Sequence, residues 1–344
     1  MKDSSYRRFK LFLGGKTLPT VMIFIPTLQK TPGRHVDLLR EAGFTVCYPP
    51  NPDVAKEHEL ISVLQGVSAT IAAGEPYNEQ VVSSLPDLRV ISRWGVGVDR
   101  IDLDAVTRHR VVVTITPTAN HEAVAEHTVA LLLALSRSLV LRNDQVHQGL
   151  WLRKVSLPLR GKTLGLVGLG RIGRSVAVRA KAFRMQLLAY EAYPDQSFVQ
   201  SHGIELLDLN TLLARSDYIS LHLPLTEQTS GLINRQKIAR MKKGALLINT
   251  ARGGLVVEED LVEALRSGQL GGAALDVFVQ EPIARDHPLL QLENVLVTDH
   301  SAGIDTRSVE DMAIESAQNI IALYRGDWPA ASVVNSTLGL KWKW

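Results

Sequence analysis

Residues 163–173 read TLGLVGLGRIG: an apolar run, then Gly168, Gly170 and Gly173 in the spacing G-x-G-x-x-G. A helical pattern follows from Arg171 to about Phe183. Strand, tight glycine turn and helix, in that order, form a dinucleotide-binding fingerprint. Gly168 permits the tight turn, Gly170 lets a pyrophosphate approach the backbone, and Gly173 lets the helix pack close to the strand. The helix start, with Arg171 and Ile172 in its first turn, offers N–H groups and a partial positive charge to phosphates. A second apolar run, 186–190, ends in Glu191, 18 residues past Gly173. The fingerprint places there the carboxylate that bonds the adenosine ribose. Glycines alone would also suit a structural βα turn; the flanking strand, helix and acid carry the dinucleotide reading.

Downstream, the same alternation continues to about residue 298. Strand-like runs stand at 163–167, 186–190, 218–221, 245–249, 272–276 and 295–298, six in all, enough for a complete dinucleotide-binding sheet. Upstream, runs at 21–25, 45–48, 69–72, 89–91 and 111–114 alternate with helical stretches at 35–41, 55–64, 77–83 and 103–108. This is a second parallel α/β unit, without a fingerprint, and so a candidate for the substrate side. Residues 120–149 read as one long helix between the units, with Asn120 able to cap its start. A helix over 306–324 could return the chain to the first unit.

Composition agrees with two globular domains. The chain has 344 residues, 45% hydrophobic and 21% charged, with a net charge of only +3. The basic residues are spread out, which gives nucleic-acid binding no support. No apolar run is long enough to span a membrane. Cys47 is the only cysteine, which excludes internal disulfides and a cysteine zinc site and fits a reducing compartment; no metal is expected. Residues 1–18 read as a loose extension rather than a signal peptide, and the protein as cytoplasmic.

Ligands of open α/β sheets lie beyond the C-terminal strand ends, and three strand ends carry unusual polar residues. Arg252 follows 245–249, Glu281 follows 272–276, and His300 follows 295–298. Hydride addition to a ketone builds charge on oxygen and calls for a proton donor near neutral pH, which histidine supplies. A carboxylate such as Glu281 would orient the imidazole and favour its charged form. Arg252 could hold a substrate carboxylate or polarise a carbonyl. His121, His127 and His222 are alternative acids, and Glu126 reads as structural. In the first unit, the glycines of 92–99 could expose N–H groups to a carboxylate, or form a plain βα turn.

Taken together, GLVGLGRIG, HLPLT at 222–226, INTARGG at 248–254, ALDVF at 274–278, QEP at 280–282 and DHSAG at 299–303 resemble the D-isomer-specific 2-hydroxyacid dehydrogenases. SRWGVGVDRID at 92–102 and TANHEAVAEHT at 118–128 add to this, most like the phosphoglycerate dehydrogenase branch. The resemblance covers about residues 20–330. It implies a Rossmann NAD-binding domain, 116–302, inserted into a flavodoxin-like substrate domain, 1–115 with 303–344. It implies a homodimer acting on a small 2-hydroxy or 2-keto acid, with Arg252, Glu281 and His300 as the catalytic set. By the same resemblance Trp94, Gly95, Val96, Gly97 and Arg252 meet the substrate. Glu191, His222, Pro224, Thr226, Thr250, Ala251, Asp276 and Gly303 join the glycine motif in meeting NAD.

Four departures bear on the substrate and cofactor. Glu191 replaces the usual Asp, and its charge still repels a 2′-phosphate, favouring NAD over NADP. Asp299 replaces the usual Pro before His300. Arg184 stands where relatives often carry glycine. The loop 72–77, AAGEPY, lacks the arginines that many serine-pathway enzymes use for a substrate phosphate. The substrate is therefore 3-phosphoglycerate-like or hydroxypyruvate/glyoxylate-like. Phosphite or phosphonate dehydrogenases of the same family are alternatives, and so is a non-catalytic NAD(H)-sensing protein of the corepressor kind. A formate dehydrogenase is disfavoured at Glu281. The chain ends without room for the regulatory domain that some relatives carry.

Overall fold

The computed structural model describes residues 12–13, 16–29, 33–51, 56–339 and 341–344. Of the expected loose extension, residues 1–11, 14 and 15 lie outside that set, while Phe12–Leu13 and Lys16–Thr17 pair antiparallel. The chain divides into two compact units, Met1–Asn120 with Asp305–Trp344, and His121–Ile304.

In the first unit, five strands run β1 (Thr20–Ile23), β2 (Thr45–Cys47), β3 (Ala69–Ala72), β4 (Val90–Arg93) and β5 (Val112–Thr114). All pair in parallel in the order β2-β1-β3-β4-β5, the doubly wound flavodoxin-like order. The helix expected over 55–64 forms as Glu57–Val63. The late helix Thr306–Arg325 belongs to this unit. It starts in an Asp305 capping box and buries Ala313, Ala317 and Ile320 against Val21, Ile23 and Ile71. Asn335 then pairs with the outer edge of β5, accepting from Val113 N and donating to Val111 O, each at 2.9 Å.

In the second unit, seven strands form one parallel sheet: β6 (Thr163–Val167), β7 (Gln186–Tyr190), β8 (Glu205–Leu206), β9 (Tyr218–Leu221), β10 (Ala245–Asn249), β11 (Leu270–Leu275) and β12 (Val295–Val297). Their order is β8-β7-β6-β9-β10-β11-β12, so the direction of winding reverses between β6 and β9. Cofactors bind at such a switch point. The extra strand is β8, two residues beside Leu188 and Ala189, too short to show a period in the sequence. The central strands β6 and β10 are buried along all five residues because helices cover both faces, which is why they read as unbroken apolar runs.

The long helix expected over 120–149 is two. His121–Arg137 and Leu139–His147 meet at 57°, with Ser138 in the left-handed region at φ 50°. The second piece buries no residue, so no core contact rewards a straight continuation. The end of the first piece is closed from outside: Leu157 N donates to Ser136 O and Arg142 Nε to Arg137 O. Asn120 does not cap the helix; its Oδ1 is sealed and takes no hydrogen bond. Glu122 in the first turn anchors it instead, accepting from Ser175 Oγ at 2.7 Å and from Arg179 at 2.6 Å. Glu126 also accepts from Arg179, at 3.0 Å. Arg184, where relatives often have glycine, lies at φ 59°. Among the described residues, no single helix is long and apolar enough to cross a membrane, and no cluster of metal-binding side chains occurs.

Candidate active site

The cofactor cradle is set by what glycine leaves out. Gly168 ends β6 at φ 102°, and a Cβ there would fall 2.8 Å from the His222 carbonyl carbon and oxygen. A Cβ on Gly173 would fall 2.2 Å from Gly168 O, so this glycine lets the helix Arg171–Ala182 lie directly against the turn. Gly170 is the opposite case: no atom lies within 4 Å of an added Cβ, and the helix it starts has no side-chain cap. Its first-turn N–H groups, those of Arg171, Ile172 and Gly173, suit an anion.

Two further groups line this turn. His222 shares its ring with Ser220 through Nε2 at 2.9 Å, while its Nδ1 is sealed from solvent without a partner. Burial pushes its pKa down to about 3, so the ring is neutral. An orphaned ring nitrogen beside an open glycine turn fits a ligand that brings its own polar groups. Glu191 reaches back to the turn, accepting from Leu169 N at 2.7 Å and from Tyr193 N at 3.1 Å. Its carboxylate is therefore fixed at the rim of the cradle. Pro224 and Thr226 sit in a turn held by the Thr229 hydroxyl, which bonds Pro224 O and Thr226 N. Thr250 is buried with its hydroxyl on Thr128, at 2.8 Å.

The structure brings Arg252, Glu281 and His300 together at the ends of β10, β11 and β12. His300 Nδ1 lies 2.7 Å from Glu281 Oε2, and the other carboxylate oxygen accepts from Phe278 N at 3.0 Å. Half-burial works to raise the Glu281 carboxyl. The His300 and Phe278 bonds, with the charges of His300 and Arg252, outweigh it and hold the carboxyl below its usual range. Because Nδ1 faces Glu281, Nε2 is the atom left for proton transfer, on a side chain still 49% exposed. Arg252 is placed by Asn249, whose side chain donates to Arg252 O at 2.8 Å and accepts from Ala251 N at 3.1 Å. Asp299 is exposed, with its carboxyl held low first by the Ser301 hydroxyl. Asp276 is fully buried and bonds the turn that holds His300 and leads to Gly303.

In the first unit, Trp94, Gly95, Val96 and Gly97 form the turn after β4. Arg93 clamps it from inside, donating to the carbonyls of Gly97 (2.9 Å), Trp94 (2.8 Å) and Ala72 (3.1 Å). Gly95 O accepts from Thr116 N, so the N–H on the far side of that planar peptide, Val96 N, points away from Thr116. Val96 is 39% exposed. Beside this turn, Glu75 is 4% exposed and accepts from Ala73 N at 2.8 Å. Burial pushes its carboxyl up to about 7, against the pull of backbone N–H groups and Arg93.

Residues 129–302 match the family model of the D-isomer specific 2-hydroxyacid dehydrogenase NAD binding domain. D-3-phosphoglycerate dehydrogenase of Archaeoglobus fulgidus is 36% identical over 302 residues, 87% of this chain and 57% of its own. Glyoxylate reductase of Thermofilum pendens is 36% identical over 329 residues, 93% of this chain and 96% of its own. The D-lactate dehydrogenase of Aquifex aeolicus, solved with NAD and lactic acid, aligns with a TM-score of 0.81 at 30% identity, over 92% of this chain and 99% of that one. The chain belongs to the D-isomer specific 2-hydroxyacid dehydrogenases.

The chain spans just over half of the Archaeoglobus relative and nearly all of the Thermofilum one. Its NAD-binding domain is the one that carries the glycine cradle. Residues missed from sequence are those that place others: Arg93, Asn249 and Thr298. Arg93 and Asn249 close the buried strands β4 and β10, where Ser92 and Asn249 are 0–1% exposed, and Thr298 follows the partly exposed β12. Polarity at the end of an apolar run is the signal that could have found them.

Proposed function

We propose that the chain is an NAD-dependent D-2-hydroxyacid dehydrogenase acting on a small, unphosphorylated acid of the hydroxypyruvate or glyoxylate kind. The observation that carries this is the Glu281–His300 pair facing Arg252 in the unit that holds the glycine cradle. Bound NADH supplies the hydride that reduces the keto carbon. His300 gives the carbonyl oxygen its proton from Nε2 in reduction and takes it back in oxidation. Glu281 fixes the orientation of the imidazole through Nδ1. Arg252 polarises the carbonyl or holds the acid's carboxylate with its planar fork. The glycine cradle, His222, the 224–226 turn, Thr250, Ala251, Asp276 and Gly303 take the cofactor, and the Trp94–Gly97 turn takes the carboxylate, with the outward N–H of Val96 as donor. In this reading the unit over 121–304 serves NAD and the other serves the acid.

Charge near the 94–97 turn argues against a phosphate. Arg93 is committed to three carbonyls, and Glu75 is a buried acid at its side. A phosphorylated tail held there would find the Arg93 guanidinium turned inward and already engaged. A panel of 2-keto acids, each with NADH and with NADPH, tests this. Hydroxypyruvate or glyoxylate with NADH should exceed phosphohydroxypyruvate by at least about tenfold in kcat/KM, the factor that 1.4 kcal/mol of charge mismatch supplies. A preference for the phosphorylated acid, or for NADPH, would overturn the corresponding half of the assignment.

A homodimer and a cytoplasmic setting complete the reading, the latter resting on the single cysteine. Dimerisation is supported by the segment after the helix break. Val140, Val146, Trp151, Leu152 and Val155 are all about half exposed or more, Trp151 at 74% and Val155 at 99%. Such a run of exposed apolar residues marks an interface, here with a second copy. Light scattering after size exclusion should give a dimer for the wild type and a monomer for Trp151→Ser with Val155→Ser; a monomeric wild type would refute it.

A further inference from the structure

We propose that His127 is a positioning residue for His300, acting through the Thr298 hydroxyl and the Asp276 carboxylate. This rests on the reading of His300 as the acid/base.

The turn that carries His300 is unusual. His300 lies in the left-handed region at φ 56°, which a residue with a side chain adopts only when its surroundings hold it there. Asp276 does the holding. Its backbone oxygen accepts from His300 N at 2.9 Å. Its carboxylate accepts from Ser301 N through Oδ1 and from Ala302 N through Oδ2, each at 3.0 Å. One residue thus receives three successive N–H groups, and it fixes both where the imidazole stands and its approach to Glu281.

Asp276 is itself 0% exposed, and a buried carboxylate keeps one orientation only if its remaining oxygen sites are satisfied. Thr298 Oγ1 donates to Oδ1 at 2.5 Å. A hydroxyl has one proton, and this one is spent on Asp276, so toward His127 it can only accept. His127 Nε2 lies 3.1 Å from Thr298 Oγ1 and 3.6 Å from Asp276 Oδ1. The chain therefore has one direction: His127 Nε2–H to Thr298, Thr298 O–H to Asp276, and Asp276 to the His300 turn. His127 stands on the helix His121–Arg137, which buries Leu131 and Leu132 in the core, so the donor is anchored on a rigid element. Each member of such a chain strengthens the next.

His127→Leu removes the donor and Thr298→Val cuts the relay at nearly constant shape; His127→Gln keeps an N–H in reach. Turnover should fall roughly tenfold in the first two, below the about 10²-fold loss of a full ångström misplacement. His127→Gln should recover most of it, and the double variant should be no worse than the worse single, because both changes break one chain. KM for the keto acid should stay within about twofold of wild type, and any weakening of NADH binding through Asp276 should be smaller than the loss in turnover. Unchanged turnover in His127→Leu and Thr298→Val overturns the proposal. So does a loss that appears in KM or NADH affinity alone, or one that tracks a fall in melting temperature and is not recovered by glutamine. His300→Ala, run in the same assay, separates the two levels: if it retains turnover, the acid/base reading fails; if it alone is inactive, only the role of His127 fails.

Discussion

His300→Ala is expected to lose at least about 10²-fold in turnover while NADH affinity stays close to wild type. The imidazole is held by Glu281 through Nδ1 at 2.7 Å, which leaves Nε2 as the proton donor. No other side chain of the trio can replace it. Glu281 is held below the ordinary carboxylate range and so carries no proton near neutrality. Arg252 does not release one at any working pH. The cofactor cradle, built from the Gly168–Gly173 turn and His222, is left intact, hence the split between turnover and affinity. Because His300 sits at φ 56°, alanine adds backbone strain to the loss of the ring. His300→Asn serves as the control, since asparagine tolerates that region: an equal loss in both variants assigns the effect to proton transfer. Steady-state NADH oxidation and a fluorescence titration with NADH measure the two quantities. Wild-type turnover would remove His300 from the chemistry and move the acid/base role to another side chain.

What the sequence revealed, and what it hid, divides along one physical line. Strands covered on both faces are apolar at nearly every position, so β6 and β10 were legible to the residue. Arg252 was legible because it follows such a strand, and Glu281 and His300 because they follow the next two strands, whose ends share one edge of the parallel sheet. The misses depend on partners distant in sequence. Nothing near Ser138 announces that the apolar pattern stops being buried there, so one helix was expected where two form. β8 exists only because Ala189 and Leu188 offer it an edge. That Glu191 also accepts from Leu169 N and Tyr193 N depends on the curl of a loop that spacing does not encode. Asn249 and Thr298 likewise look like ordinary polar residues until the turns they hold are folded beside them.

Gly253→Ala should be the most damaging single methyl in the second unit. The requirement there is space rather than backbone freedom. An added Cβ would lie 2.0 Å from the Phe278 carbonyl carbon, 2.2 Å from its oxygen and 2.4 Å from Val279 N. All three are backbone atoms of the loop that leads to Glu281, and Val279 N is further tied to Glu258 at 2.9 Å. A clash with backbone is relieved only by parting the two segments, one carrying Arg252 and the other Glu281. Overpacking of this kind costs roughly 1–3 kcal/mol of stability, and a displacement near 1 Å at reacting groups costs about 10²-fold in rate. Turnover should therefore collapse in a protein that still folds and still binds NADH, because the cradle lies on β6. The neighbouring glycine is the internal control. A Cβ on Gly254 would meet only the Leu225 side chain, at 3.0 Å and beyond, which can rotate aside. Gly254→Ala should keep most of the turnover and the melting temperature. Equal behaviour of the two variants would mean that the close approach of the Arg252 and Glu281 segments does not matter to the reaction.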